Sequence, residues 1–470
     1  MYLPGKILES NIREVFIMKL KKLTAMALAA TMVCTMAAGC GGSSSSGTTE
    51  AAKGETTGTT AAETAGTDVP KETAAAETQA ETQAETAAAS TGEKKEVVIW
   101  DYFETDAQKE MMQTLIDGFN SSQSEFTATH TYVPFADYQK QLTLGLASGE
   151  LPDLVIMDGC SMASFIQLGL MADVSDASIA WDDYLKGPME STMMDGKHYG
   201  IPFATNCTAL FYNKDLFYAA GVTYPDENTT WDDFKDMAAK LTKDGVTGFG
   251  NAAVGTDEGT FQCLQWLYTA GGTYTDIKGG VKSYDLMKEM IDAGSWTKEC
   301  VNWTQSDVNN NFMAGNIAMQ QNGPWQIPGI EKDAPDLNYG VTVLPKFDKD
   351  SSQATSILGG ENMGVVKKDD TAGAVAFMKY YDQNEVMIDA MKKYGSFPPK
   401  TEAAQDSYWT DDPIQAAFIT QLETSIPRGP SASWPSYSSA IQNGFQEVMT
   451  GAKTPEEAAD STQAAVDAVK

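Results

Sequence analysis

Aromatic rings and polar groups recur in this chain where apolar runs end. Val97-Val98-Ile99-Trp100 is a short apolar strand, and Trp100, Asp101 and Tyr102 stand at its exit. Another strand, Leu154-Val155-Ile156-Met157, is followed by Asp158 and Ser161. Further on stand Asn206, Phe261 near the start of a helical segment, Trp325 after a Gly-Pro turn, Glu361 and Asn362 after Gly359-Gly360, and Trp434. Rings offer flat apolar faces, and the polar groups offer donors and acceptors, which together make a small-molecule site. In open parallel sheets ligands sit beyond the ends of the strands, where several of these residues fall. Each has a plainer role as well. Trp100 can be core, Trp325 a structural wedge, and Phe397 can pack a hinge as readily as touch a ligand.

The chemistry of catalysis is thinly represented. His130 lies on an expected strand and His198 beside a turn, with no nucleophile elbow, metal-ligand spacing or phosphate loop around them. Asp101 and Glu361 could in principle be the acid pair of a glycosidase, but any large acidic chain offers such pairs. Cys160, Cys207, Cys263 and Cys300 show no metal-like spacing and read as buried free thiols. No catalytic residue, cofactor or metal is expected. Arginine occurs at Arg13 and Arg428. In Ile426-Pro427-Arg428-Gly429-Pro430 the side chain reads as an exposed loop charge, with a clamp for a ligand carboxylate as the alternative.

At 470 residues the chain has room for two or three domains. A net charge of −31 and a pI of about 4.3 argue against nucleic acid and against a polybasic membrane contact. Lys19, Lys21 and Lys22 precede an apolar run from Leu23 to Ala38, then Ala37-Ala38-Gly39-Cys40. Residues 1–39 are therefore expected to be a secretory signal, starting at Met1 or at Met18 and too short to span a bilayer. The small residues before Cys40 resemble a bacterial lipobox, with Ala37 where leucine is usual; an ordinary signal peptide cut near Ala38 is the alternative. A diacylated Cys40 would be a stable anchor, two acyl chains being sufficient. Residues 41–95 are Gly, Ser, Thr, Ala, Glu and Gln with almost nothing to bury, so they are expected to form a disordered tether spanning roughly 40 Å.

The elements that position the candidate residues follow from periodicity and caps. From Thr105 a helix pattern places Met112, Leu115, Ile116 and Phe119 on one face. Phe126–Val133 reads as a strand, and Tyr138–Ala147 as a helix with Leu142 and Leu146 inward, stopped by Gly149. Strand and helix alternate from the first strand to the third, which implies a parallel sheet covered by helices. Asp195-Gly196 is a hairpin turn. Leu216–Ala220 is helix-like and stopped by Gly221. Thr230 and Asp233 form a capping box for a helix that buries Phe234, Met237, Ala238 and Leu241 and ends at Gly245. Residues 260–270, 284–292 and 372–381 are also helical in pattern. Tyr339–Pro345 reads as a strand. Thr454, Pro455 and Glu457 start a last helix.

Several stretches carry a resemblance. Asp195-Gly196-Lys197-His198-Tyr199-Gly200-Ile201-Pro202, a strand and then Tyr212-Asn213-Lys214-Asp215-Leu216 resemble the extracellular solute-binding proteins of ABC sugar importers, the group that includes maltose-binding protein. So do Ala147–Val155, Thr230-Trp231-Asp232-Asp233-Phe234, Tyr394–Lys400 and the Gly451–Ala459 ending, where Ala459 in place of leucine suggests a looser last helix. The most specific motif is Phe312-Met313-Ala314-Gly315-Asn316-Ile317-Ala318-Met319 followed by Asn322-Gly323-Pro324-Trp325.

The resemblance covers about residues 97–470. It implies an α/β two-lobed periplasmic-binding-protein-like fold of type II, each lobe a mostly parallel sheet flanked by helices, with a ligand cleft between lobes. The N-terminal lobe would comprise 96–205 and 361–402, the C-terminal lobe 206–360 and 403–470. By family position Trp325 would stack on ligand, and Asp101, Tyr102 and Asn206 would contact it. The implied function is a monomeric receptor that is lipid-anchored through Cys40 on the outer face of the cytoplasmic membrane. It would capture a sugar or oligosaccharide by hinge closure and deliver it to the permease subunits of an ABC importer. The alternatives are a non-sugar solute such as a polyol phosphate or polyamine, a sensory subunit, and a surface glycan-active enzyme. Scarce arginine weighs against a phosphate.

Overall fold

The computed structural model describes residues 94–429 and 431–469. The expected signal segment, Cys40 and nearly all of the tether lie outside the described residues. In chain order the strands are β1 (Lys95–Asp101), β2 (Phe126–Tyr132), β3 (Leu154–Asp158), β4 (Met193–Met194), β5 (Lys197–His198), β6 (Gly200–Pro202), β7 (Ala209–Asn213), β8 (Thr247–Gly250), β9 (Ile317–Asn322), β10 (Tyr339–Thr342), β11 (Ser356–Leu358), β12 (Glu361–Val365) and β13 (Ser425–Pro427).

They build two main sheets, ordered β2-β1-β3-β12-β6 and β10-β7-β9-β8. In the first, β1 is parallel to β2 and β3, while β12 runs antiparallel to both β3 and β6. In the second, β8 and β9 are parallel, and β7 runs antiparallel to β9 and β10. Each sheet therefore has a common strand direction and one reversed strand. The reversed strand is in each case the one that arrives from the other sheet: β7 follows β6, and β12 follows the second sheet's β10. A strand entering this way needs no crossover helix, so the rule that makes βαβ neighbours parallel does not bind it.

The fold is that of a two-lobed periplasmic binding protein, one sheet to each lobe. The chain crosses between them through residues 203–208 and returns through Gly359-Gly360. Asn206 and Gly359 exchange backbone hydrogen bonds of 3.3 and 2.8 Å, and Thr205 pairs in the same way with Phe397 at 3.0 and 3.1 Å. The three segments thus form a small ladder between the lobes. Gly360 sits at φ +125°, and a Cβ there would lie 2.2 Å from the carbonyl oxygen of Ala204, so the ladder closes only with glycine.

Local signals explain most elements. The helix Asp106–Ser122 starts at a Thr105–Gln108 capping box and buries Met111, Met112, Leu115, Ile116 and Phe119. Its partner Phe135–Ser148 ends at left-handed Gly149, with Leu142 buried and Leu146 half-buried. The Thr230–Asp233 and Thr454–Glu457 boxes form as their sequences require. Asp195 and Gly196 turn the β4–β5 hairpin at φ 53° and 74°, the left-handed pair of a type I′ turn.

Three expectations shift. The helix from Trp231 ends at Leu241 rather than Gly245, because Gly245 at φ 89° turns the Lys243–Val246 bridge. The strand from Tyr339 stops at Thr342, where the chain leaves the sheet edge to take Gln421 at Leu344 and Thr229 at Lys346. Ala459 is buried, so the last helix seats fully despite the shorter side chain. Among the described residues no helix is long and apolar enough to cross a membrane.

Candidate ligand cleft

A cavity of about 110 Å³ opens between the lobes, above the ladder. Tyr102, Glu104, Gln108, Phe135, Asp158, Glu361 and Tyr394 line it from the first lobe; Glu258, Phe261, Gln305, Trp325 and Arg428 from the second; Asn206, Gly359 and Gly360 form the floor. A second cavity of about 270 Å³ adjoins it and shares Tyr102, Phe135 and Asp158. Gln139 and Ser161 line its first-lobe side, Asp257, Ser438 and Gln442 the other.

Tyr102 leaves β1 and packs edge-on against Phe135 and Tyr138, with centroids 5.0 and 5.3 Å apart. Its hydroxyl donates to Glu361 Oε1 at 3.2 Å, and the Tyr394 hydroxyl donates to the same oxygen at 2.7 Å. Glu361 is 6% exposed, and its Oε2 has no hydrogen-bond partner among the described residues. Burial, helped by the nearby charge of Asp158, pushes its pKa up to about 7, although the two tyrosine hydroxyls pull the other way. Glu258, at the start of the helix Asp257–Thr269, accepts from the backbone N–H of Gln305 and is also pushed up to about 7, mainly by burial.

Asp158 caps the helix Gly159–Gln167 and accepts from Arg428 Nη2 at 2.6 Å. Arg428 Nη1 donates to Asp257 at 2.8 Å, and the guanidinium lies 4.6 Å from the Phe261 ring centroid. Trp434 Nε1 and the Ser438 hydroxyl donate to the other oxygen of Asp257. Arg428 is 3% exposed, so the exposed loop charge expected from its Pro- and Gly-rich surroundings is corrected to a buried cation between two carboxylates. Burial works against its charge, but Asp158, Cys160 and Asp257 outweigh it and raise its pKa. Asp158, Cys160 and Asp257 bring their donor atoms within 4.8 Å of one another, a metal-like trio whose two carboxylates the guanidinium already satisfies.

Of the residues singled out from the sequence, Tyr102, Asp158, Asn206, Phe261, Trp325 and Glu361 line the first cavity, and Ser161 the second. Trp325 is 8% exposed, with its ring 6.2 Å from Phe261. The other four lie outside both walls. Asp101 accepts from the Phe103 N–H and bonds His130 Nδ1 at 2.7 Å, which raises the His130 pKa. Trp100 packs half-buried against an apolar cluster under the first sheet. Asn362 Nδ2 donates to Ser191 Oγ at 2.9 Å, and Trp434 buttresses Asp257 behind the wall.

Glu104, Gln108, Glu258, Gln305 and Tyr394 reach the cavity without having been singled out as its walls, and Arg428, read as a ligand clamp only in the alternative, reaches it too. For Arg428 a signal existed, since it is the one arginine after Arg13. The polar residues on helices offered none. The four cysteines among the described residues are free; Cys207, Cys263 and Cys300 are buried as expected, and Cys160 is only half-buried.

The sequence profile of the bacterial extracellular solute-binding proteins matches residues 114–417. A binding protein of Brucella abortus (strain 2308) is 26% identical over 365 residues, 75% of this chain and 87% of the relative. The sn-glycerol-3-phosphate-binding periplasmic protein UgpB of Pectobacterium atrosepticum is 25% identical over 404 residues, 78% of this chain and 89% of the relative. The GacH receptor of Streptomyces glaucescens, solved unliganded and with acarbose, is 26% identical and superposes with a TM-score of 0.72 over 80% of this chain and 99% of that one.

Proposed function

Because the chain belongs to the bacterial extracellular solute-binding proteins, a family of receptors and not of enzymes, we propose that it captures a sugar or oligosaccharide outside the cytoplasm and delivers it to the permease of an ABC importer. The supporting observation is the make-up of the first cavity. Trp325 and Phe261 bring aromatic rings to the wall from one lobe, while Glu361, Gln108 and Asn206 bring polar groups from the other lobe and the floor. A pyranose has C–H faces that pack on aromatic rings and hydroxyls that need paired partners. The acarbose complex of the GacH receptor favours the same ligand class. A polyol phosphate, the ligand class in the name of the Pectobacterium relative, is disfavoured, since Arg428 is already neutralised by Asp158 and Asp257.

In this role the lobes, 96–205 with 361–402 and 206–360 with 403–470, close about the ladder at Thr205, Gly359 and Phe397. Cys40 holds the receptor at the membrane by a diacylglyceryl group. A thermal-shift screen of residues 94–470 against neutral and charged saccharides tests the ligand class, since a ligand that binds the native state raises the midpoint. A shift with one saccharide, lost in Trp325→Ala, is the expected result. No shift with any saccharide overturns the sugar assignment. Metabolic labelling with a palmitate analogue tests the anchor, and label that survives Cys40→Ala would refute it.

A further inference from the structure

We propose that the solute carries a protonated amine beside its hydroxyls, as an amino sugar does, and that the amine is received by Glu361 Oε2. The inference presupposes the saccharide-receptor role and narrows it.

Two independent features point to a cation. The first is charge. Glu104, Asp158, Glu258 and Glu361 line the cavity, and among its described walls Arg428 carries the one positive charge. That guanidinium is not available to a ligand, because Asp158 and Asp257 hold it at 2.6 and 2.8 Å and Phe261 covers its face. The remaining carboxyls therefore face the ligand space without a counter-charge. The second is the orphan acceptor. Glu361 is 6% exposed, its Oε1 already takes two tyrosine hydroxyls, and its Oε2 takes nothing among the described residues. A buried carboxylate oxygen left without a donor is costly, and Glu361 stands in the cavity wall, so a donor that a ligand brings there would relieve it.

An ammonium group meets both needs. It donates a charge-assisted hydrogen bond, about twice as strong as a neutral one, and it supplies the missing positive charge. Burial has pushed both Glu361 and Glu258 up to about 7, and an ammonium held beside either would favour its charged form. A neutral hydroxyl can satisfy the geometry of Oε2 but leaves the charge of the cavity uncompensated.

The test is calorimetric titration at pH 7 and low salt with matched sets of saccharides. Glucose, glucosamine and N-acetylglucosamine form one set, galactose and its two counterparts a second, and cellobiose with the β-1,4 glucosamine disaccharide and its acetylated form a third. Spermidine serves as an amine without hydroxyls. In at least one set the free amine is expected to bind tenfold or more tightly than both its acetylated and its neutral partner. Glu361→Gln should abolish the preference of the free amine over its acetylated and neutral partners. Neutral or acetylated members that bind as tightly as the amine overturn the inference and leave the sugar receptor standing. Spermidine binding above every saccharide keeps the amine and overturns the sugar. Silence across all sets overturns both.

Discussion

Arg428 and Asp158 meet at 2.6 Å across the cleft, although 270 residues separate them in the chain. Asp158 ends a strand of the first sheet. Arg428 follows β13 and is fixed on the second side by Asp257 and by the Phe261 ring. The pair therefore ties one lobe to the other. Removing one partner of a buried pair costs roughly 3–5 kcal/mol. Asp158→Asn should fall at the lower end, because Asp257 still holds the guanidinium. The ligand-free variant is expected to show a larger radius of gyration in solution scattering than the wild type. An unchanged radius would mean that the pair does not govern closure.

Trp325 depends on a glycine for its place. A Cβ at Gly323 would lie 1.9 Å from the Trp325 ring, so Gly323→Ala must displace the indole. Loss of one stacked ring is worth about 1 kcal/mol beyond its buried area. Saccharide affinity should fall roughly tenfold in this variant, measured by calorimetry beside Trp325→Ala. Affinity equal to wild type would exclude Trp325 from the ligand site.

Glu361 makes stability depend on pH with a defined sign. Its pKa is raised from 4.5 to about 7 on folding, so the native state binds more protons than the unfolded state between those values. The contribution is fully present below about 4.5 and is lost as pH rises through about 7, at up to roughly 1.4 kcal/mol per pH unit. Glu361→Gln should remove this slope. Urea unfolding of both proteins from pH 4.5 to 8 should show the variant gaining on the wild type as pH rises. A constant difference would mean that Glu361 titrates normally.

Gly360 is the strained point of the ladder. At φ +125°, with the Ala204 carbonyl oxygen 2.2 Å from where a Cβ would stand, the position leaves no room for a side chain. Gly360→Ala should cost about 1–3 kcal/mol from backbone strain, with the clash in addition. The urea midpoint should drop accordingly, while Gly329→Ala, where a Cβ meets open space, should change it far less.

Parts of the cleft were readable in advance, and strand period explains which. Glu361 and Asn362 are neighbours on β12, so their side chains must face opposite ways. Glu361 turns to the cavity and Asn362 to Ser191. Asp101 and Tyr102 part as well, one towards His130 and the other towards Glu361. The period of β12 thus separates Glu361 from Asn362, whereas Tyr102 lies one residue past the end of β1 and is turned by the loop.

Local structure was legible in the chain as written: the helix starting at Thr105, the capped helices at Thr230 and Thr454, the Asp195-Gly196 turn, the order of strands and helices, and the family motifs that carry the two-lobed fold. These follow from backbone geometry and from apolar spacing within a few residues. Folding of the whole chain was needed to bury Arg428 between Asp158 and Asp257, to bring Glu258 and Tyr394 to the cavity, and to leave Glu361 Oε2 without a partner among the described residues. Those outcomes depend on which surfaces two lobes bring together. Arg428 lies 171 residues from Asp257 and 270 from Asp158, and no local pattern encodes a meeting at that range.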